Sequence, residues 1–114
     1  KAQRIQDKVA GVGFDWEKPE QVWEKVQEEL AEFQAEVAKG NTNNMEAEFG
    51  DVLFSMINYA RFLKINPDTA LERTNQKFIQ RFNYLEAKAK TLGKTLHEMT
   101  LAEMDIYWEE SKRL

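Results

Sequence analysis

Apolar residues recur every three or four positions along most of this chain, a spacing that predicts amphipathic α-helices. Five helices are predicted, at residues 1–11, from Pro19 to about residue 39, from Asn43 to about residue 64, from Pro67 to Gly93 and from Thr100 to the C-terminus. The three long helices carry the apolar stripes Val22, Val26, Leu30, Phe33 and Val37; Met45, Phe49, Val52, Met56, Ala60 and Leu63; and Leu71, Thr74, Phe78, Phe82, Leu85 and Ala89. No segment shows the alternation typical of a β-strand.

Residues that favour helix ends support these boundaries. Gly40 suits the position after a helix, where a left-handed backbone is common. Asn43 and Thr100 are each followed three residues later by a glutamate, Glu46 and Glu103, which is the pattern of a helix N-terminus.

The helical pattern predicts an all-α fold, a four- to five-helix bundle in which short connections make neighbouring helices antiparallel. The third helix also carries Phe54, Ile57 and Phe62 outside its main stripe. Because a helix that is apolar on more than one face usually packs against more than one partner, we expect a homodimer formed through the long helices.

Length and composition predict one domain over residues 1–114 and exclude several classes of protein. The chain contains no cysteine, so disulfides and thiolate metal sites are excluded. No apolar run approaches the roughly 20 residues that cross a bilayer, and a cytoplasmic location is expected. The net charge of −4 argues against binding to duplex nucleic acid, which usually requires a basic face.

Acidic residues lie beside the apolar stripes of the second and third helices. Glu29 and Glu32 lie along one flank of the second helix, and Glu48 and Asp51 lie one turn apart on the third. If the two helices are antiparallel, the two pairs can face each other. Four converging carboxylates repel one another unless a cation lies among them. Oxygen ligands of this kind suit Mg²⁺ or Mn²⁺, and such a site can support hydrolysis of a phosphoanhydride by an activated water.

Two alternatives to this metal site remain open. Glutamates three residues apart are common on an acidic, solvated helix flank, which would show the same spacing. A carboxylate-bridged di-iron bundle would require Glu-x-x-His motifs on two helices. The only histidine is His97, in a predicted connection with no acidic residue three positions before it, so the di-iron interpretation fits poorly.

Basic and aromatic residues on the last two helices are candidates for binding an anion. Lys77 and Arg81 lie four residues apart on the fourth helix, and Trp108 and Lys112 repeat that spacing on the last. The pairs could hold phosphate oxygens, although from the spacing alone a solvated face is the commoner explanation for Lys77 and Arg81, and ordinary packing is the commoner explanation for Trp108. Phe14 and Trp16 lie in a turn flanked by glycines, where they could line a base or sugar pocket or cap the end of the bundle.

Together these residues resemble a known family, the all-α nucleoside triphosphate pyrophosphatases, and most closely its MazG branch. The signature is Glu-x-x-Glu at residues 29–32 and Glu-x-x-Asp at residues 48–51, separated by fifteen residues. The stretches VGFDW at 12–16, EELAE at 28–32, EFGDVLF at 48–54, NQKF at 75–78 and RF at 81–82 are also similar, as is Glu103-Met104 followed by Trp108. The basic residue that some relatives carry before the second acidic motif is replaced by Asn43-Asn44.

The resemblance implies a Mg²⁺-dependent enzyme that cleaves nucleoside triphosphates to nucleoside monophosphate and pyrophosphate and clears aberrant nucleotides from the pool. The implied metal ligands and catalytic residues are Glu29, Glu32, Glu48 and Asp51. The implied nucleotide contacts are Lys77, Arg81, Trp108 and Lys112, while Glu28 would orient water. Since members of this branch resemble two tandem copies of one domain, the chain is expected to be a fragment, the C-terminal copy.

Two other functions remain possible from the sequence. A non-catalytic dimerisation or regulatory module could keep the fold, although the complete acidic set argues against a decayed site. An enzyme specialised for one modified base would also fit, and its preference would depend on the region of Phe14 and Trp16.

Overall fold

The computed structural model describes all 114 residues and confirms the all-α prediction. It contains a 3-10 helix at Leu96–Glu98 and five α-helices, which are α1 (Ala2–Ala10), α2 (Pro19–Lys39), α3 (Thr42–Phe62), α4 (Pro67–Thr91) and α5 (Leu101–Ser111). No β-strand is present. None of the helices combines the length and the apolar character that crossing a membrane requires.

The helix ends follow local capping chemistry, with one correction. Gly40 ends α2 in the left-handed conformation, with φ of 73°. Thr100 caps α5, since its Oγ1 accepts a hydrogen bond of 3.1 Å from the Glu103 backbone N–H. The predicted start of α3 at Asn43 is wrong. Asn41 is the N-cap, because its Oδ1 accepts a hydrogen bond of 3.1 Å from the backbone N–H of Asn44.

The chain divides into two compact units, Lys1–Pro67 (unit one) and Asp68–Leu114 (unit two). In unit one, α2 and α3 are antiparallel neighbours. The Trp23 and Tyr59 rings lie 5.2 Å apart at one end of the pair, and the Phe33 and Phe49 rings lie 5.5 Å apart at the other. The prediction of a single domain over residues 1–114 stays a prediction.

The core of unit one is narrow. Val22 and Val26 of α2 are fully buried. Helix α1 attaches to α3 through Gln6, whose Nε2 donates a hydrogen bond of 2.9 Å to the backbone oxygen of Phe54. A polar side chain therefore joins these two helices at a buried position.

Unit two packs the C-terminal half of α4 against the 3-10 helix and α5. Leu85, Ala89 and Met99 form its buried cluster. Tyr84 donates a hydrogen bond to the Glu110 carboxylate. Lys88 Nζ lies 3.5 Å from that same carboxylate, so a polar network borders the cluster.

Much of the predicted apolar stripe lies on the surface of the single chain. The large apolar stripe residues that are exposed are Leu30, Val37, Phe49, Met56, Leu63, Leu71, Phe78 and Phe82. The stripes therefore describe helical periodicity correctly but describe the buried core only in part. The predicted dimer would cover such residues, and it stays a prediction.

Candidate metal centre

Three of the four predicted acids converge where α2 passes α3. One carboxylate oxygen from each of Glu29, Glu48 and Asp51 can be chosen such that all three lie within 4.8 Å of one another. Glu29 follows Val22 and Val26 on the buried face of α2, which explains why it is only 6% exposed. The antiparallel pairing of the helices brings the Glu48 and Asp51 side chains to it.

Two oxygens of this cluster have no hydrogen-bond partner. They are Oε2 of Glu29 and Oε2 of Glu48, and both are buried. A buried carboxylate oxygen without a donor is costly, and the neighbouring negative charges add repulsion. A hard divalent cation bound to these carboxylate oxygens would give the unpaired oxygens a partner and would offset the repulsion between the negative charges. The donor set therefore fits Mg²⁺ or a similar ion.

Lys25 supplies a positive charge at the edge of the cluster. Its Nζ lies 2.8 Å from Oε1 of Glu29 and 3.7 Å from Oε1 of Glu28. The hydrogen bond with Glu29 raises the pKa of Lys25 above its usual value, against the opposing effect of partial burial. The lysine therefore offsets part of the repulsion but leaves the two buried oxygens without donors.

Glu32, the fourth predicted acid, lies outside the group of three. It is exposed, and its pKa is raised chiefly by the negative charge of Glu29, with a further contribution from Glu48. The influence of both carboxylates places Glu32 at the border of the cluster. The structure thus groups three of the predicted ligands and leaves the fourth beside them.

Two of the three acids, Glu29 and Asp51, line a cavity of about 240 Å³ in unit one. Glu29, Asp51 and Lys25 form its charged wall, and Trp16 and Ser55 are among its other lining residues. A cavity of this size, lined by two of the three carboxylates, can admit part of a small molecule to the cluster.

The predicted nucleotide contacts lie in unit two. Lys77, Arg81 and Lys112 line a common cavity of about 460 Å³. Lys112 follows the last residue of α5, and its Nζ lies 3.0 Å from Oε1 of Glu109. Trp108 packs on Phe78, with the ring centroids 4.9 Å apart. The structure therefore brings the three cations together and gives Trp108 a packing contact.

Comparison with known proteins decides the family. Residues 17–85 match the family described as the MazG nucleotide pyrophosphohydrolase domain. The chain belongs to this family. The matched range includes both acidic motifs of this MazG domain and the pair Lys77 and Arg81.

Individual relatives agree with that assignment. The domain is 43% identical over 111 residues to the nucleoside triphosphate pyrophosphohydrolase/pyrophosphatase MazG of Thermotoga maritima, an alignment covering 97% of the domain and 42% of that protein. It is 36% identical over 115 residues to the nucleoside triphosphate pyrophosphohydrolase of Escherichia coli, covering 99% and 44%. The protein YabN of Bacillus subtilis is 51% identical over 70 residues, covering 61% and 14%. The chain thus spans less than half the length of these relatives.

Sequence reasoning missed several polar residues around the centre of this MazG domain. Lys25 lies four residues before Glu29, a spacing that could have revealed it. Gln6 and Arg61 gave no such signal. Each contacts residues 46 to 48 positions away, and such contacts arise only when the helices pack.

Proposed function

We propose that this MazG domain hydrolyses nucleoside triphosphates to nucleoside monophosphate and pyrophosphate with Mg²⁺ as its cofactor. The observation that carries the proposal is the convergence of Glu29, Glu48 and Asp51, with two buried carboxylate oxygens that lack donors. The names of the Thermotoga maritima and Escherichia coli relatives, both nucleoside triphosphate pyrophosphohydrolases, support the reaction class.

In this proposal the ion is held by Glu29, Glu32, Glu48 and Asp51. Glu32 would be the fourth ligand, reached from its position at the border of the cluster. When bound, Mg²⁺ would polarise phosphate oxygens and make water more acidic. Mn²⁺ accepts the same oxygen ligands and could replace it.

The other residues have complementary roles. Glu28, which is exposed beside Lys25, would orient water for attack between the α and β phosphates. Lys77, Arg81 and Lys112 would hold phosphate oxygens by charge-assisted hydrogen bonds, and Trp108 would contact the nucleotide. Binding of this kind stabilises the negative charge that develops on the leaving pyrophosphate.

The biological part of the proposal is removal of aberrant nucleotides from the pool by a homodimer. The dimer is supported by the exposed apolar residues of the long helices, which a second copy would cover. A cytoplasmic location stays a prediction of the sequence.

Product analysis tests the reaction. The purified domain would be incubated with ATP, CTP, GTP and dUTP, with and without Mg²⁺, and the products separated by ion-exchange chromatography. We expect nucleoside monophosphate and pyrophosphate only when Mg²⁺ is present. Release of nucleoside diphosphate and orthophosphate would contradict attack between the α and β phosphates.

If no turnover is seen, a metal titration shows whether the protein still binds metal or has no metal site. Mn²⁺ is the probe, since its paramagnetism reports binding directly. Metal and nucleotide binding without turnover would favour the alternative, a non-catalytic regulatory or dimerisation module. Absence of metal binding would contradict the ligand assignment itself.

A further inference from the structure

A larger cavity lies in unit one beside the candidate metal centre. Its volume is about 500 Å³, within the range of roughly 300–1,000 Å³ typical of small-molecule pockets. Val9, Phe14, Trp16 and Phe54 give it apolar walls. The two aromatic residues of the turn after α1 therefore face a cavity large enough for a planar ring.

This cavity adjoins the one that contains the acids. Trp16, Phe54 and Asn58 line both cavities, while Glu29 and Asp51 line only the smaller one. A molecule whose phosphates reach the acids would therefore have its remaining part next to the apolar walls.

The one cation in the larger cavity is already paired. Arg61 donates hydrogen bonds of 2.6 and 3.1 Å to the two carboxylate oxygens of Asp15, and of 2.8 and 3.1 Å to Oδ1 of Asn58. The hydrogen bond from Arg61 also holds the pKa of Asp15 below its usual value, so the pair stays ionised. A neutralised arginine favours an uncharged group in this cavity rather than a phosphate.

Gln6 lines this cavity and has one side-chain atom without a hydrogen-bond partner, its amide oxygen Oε1. Its side chain is only 3% exposed. Its Nε2 donates to the Phe54 backbone oxygen, and this bond fixes the orientation of the amide. Its Oε1 is buried and accepts no hydrogen bond from the protein. A ligand that brings an N–H donor would remove the cost of that unpaired acceptor.

We propose that this cavity holds the base of the bound nucleotide against Trp16, and that Gln6 favours bases with an exocyclic amino group by accepting its hydrogen bond. The inference rests on the proposed function, because it assumes a nucleotide whose phosphates lie at the acids. Stacking on an aromatic side chain accepts every base. Gln6 therefore changes the relative affinities of the bases but does not prevent any base from binding.

Binding of the product nucleotide tests this without relying on turnover. AMP and purine riboside monophosphate, which lacks the amino group, would be titrated into the protein and each dissociation constant measured by isothermal titration calorimetry. NMR of the unaltered protein at the Gln6 side-chain amide would report whether the ligand contacts that group. We expect AMP to bind about tenfold more tightly, the size of effect that follows when a buried acceptor loses its donor. In Gln6→Met the two dissociation constants should become equal.

Two further variants control for loss of folding. Gln3→Met alters the same helix outside the cavity and should keep the tenfold ratio. Trp16→Leu should weaken the binding of both nucleotides and keep the tenfold ratio of their dissociation constants, because stacking contacts the face of the ring and does not involve the amino group. Equal binding of both nucleotides to the unaltered protein, or a ratio that persists in Gln6→Met, would overturn the inference. Turnover assays on the same samples judge the proposed function separately.

Discussion

Glu29 continues a row of valines on α2, so its carboxylate is buried where an apolar side chain would otherwise lie. Its neighbours across the helix pair are Glu48, half-buried, and Asp51, exposed. The three residues thus form a gradient from the helix interface to solvent. Such an arrangement would hold one side of a bound cation against the protein and leave its other side open to substrate and water.

Replacing Glu48 by glutamine tests whether its carboxylate is a metal ligand, because only one oxygen of the side chain is exchanged. Glu48→Gln keeps the shape of the side chain but removes its charge. Because loss of a residue that merely supports a metal ligand costs roughly 10–100-fold, loss of a ligand should reduce kcat/KM by at least about a hundredfold. Helicity measured by circular dichroism should not change. The exposed residue in Glu46→Gln serves as the matched control, and undiminished activity of Glu48→Gln would refute the assignment.

Lys77 allows the anion-binding role to be separated from metal binding. Lys77→Ala should raise KM for the nucleotide about tenfold, since one charge-assisted contact to phosphate is lost. Mn²⁺ affinity should stay within about twofold of the unaltered protein, because the residue lies outside the acidic cluster. Lys90→Ala, on the same helix, is the control. An equal fall in metal and nucleotide affinity would contradict these roles.

The sequence predicts individual residues well where the signal is a helical spacing. Helix phase and antiparallel pairing predicted that Glu29, Glu48 and Asp51 converge, and the structure brings them together, while their role as metal ligands stays a prediction. The sequence could not show that Glu32 lies at the border of this cluster, because a small rotation of α2 about its axis determines whether Glu32 reaches the other acids. The contact of Gln6 with Phe54 and that of Arg61 with Asp15 were not foreseen because the partners are distant in sequence.

At the scale of the element, helix ends were predicted to within a few residues because capping is local chemistry. The error at Asn43 arose because residues 41–44 offer three asparagines in four positions, and only the side chain of Asn41 reaches a free backbone N–H. Burial was predicted less well. A stripe shows which face of a helix is apolar, but whether that face is covered depends on the partner elements.

The start of α5 carries a charge that should make its stability depend on pH. Glu103 accepts hydrogen bonds from Thr100 and lies 3.1 Å from Lys94 Nζ. The hydrogen bond from Lys94, followed by that from the Thr100 backbone, lowers the pKa of Glu103 below its usual 4.5. A lowered folded-state pKa stabilises the protein above the unfolded-state value, and this contribution is lost as pH falls through the folded-state value.

Thermal unfolding of Glu103→Gln measures that contribution. The Tm of the variant should lie below that of the unaltered protein above about pH 5, and the difference should close below about pH 3. Glu86→Gln on α4 controls for the change in net charge. A difference in Tm that stays constant across this range would show that the charge of Glu103 contributes nothing.

At the scale of the whole molecule, the most unusual property is the amount of apolar side chain left at the surface. Leu53, Phe49 and Met56 of α3 are each more than 40% exposed. Contiguous apolar surface of this kind usually marks an interaction site. A partner made of the same helices would supply matching apolar faces.

Leu53→Glu tests self-association. The charged side chain should convert a dimer to a monomer at micromolar concentration, because burying an unpaired carboxylate is costly. Sedimentation velocity over a hundredfold concentration range gives the masses. Ala47→Glu places the same charge on another face of α3 and should stay dimeric. A monomer for the unaltered protein at every concentration would make the dimer prediction wrong.

The two buried carboxylate oxygens of Glu29 and Glu48 also affect how long the protein persists in the cell. A cation that binds the folded chain and not the unfolded one stabilises it by RT ln(1 + [L]/Kd), which is about 2.7 kcal/mol at a hundredfold excess over Kd. If the ion is Mg²⁺, as proposed, a fall in free Mg²⁺ would shorten the lifetime of the protein, since proteases in the cell remove unfolded chains. Its abundance would then follow the ion supply even while its synthesis stayed constant.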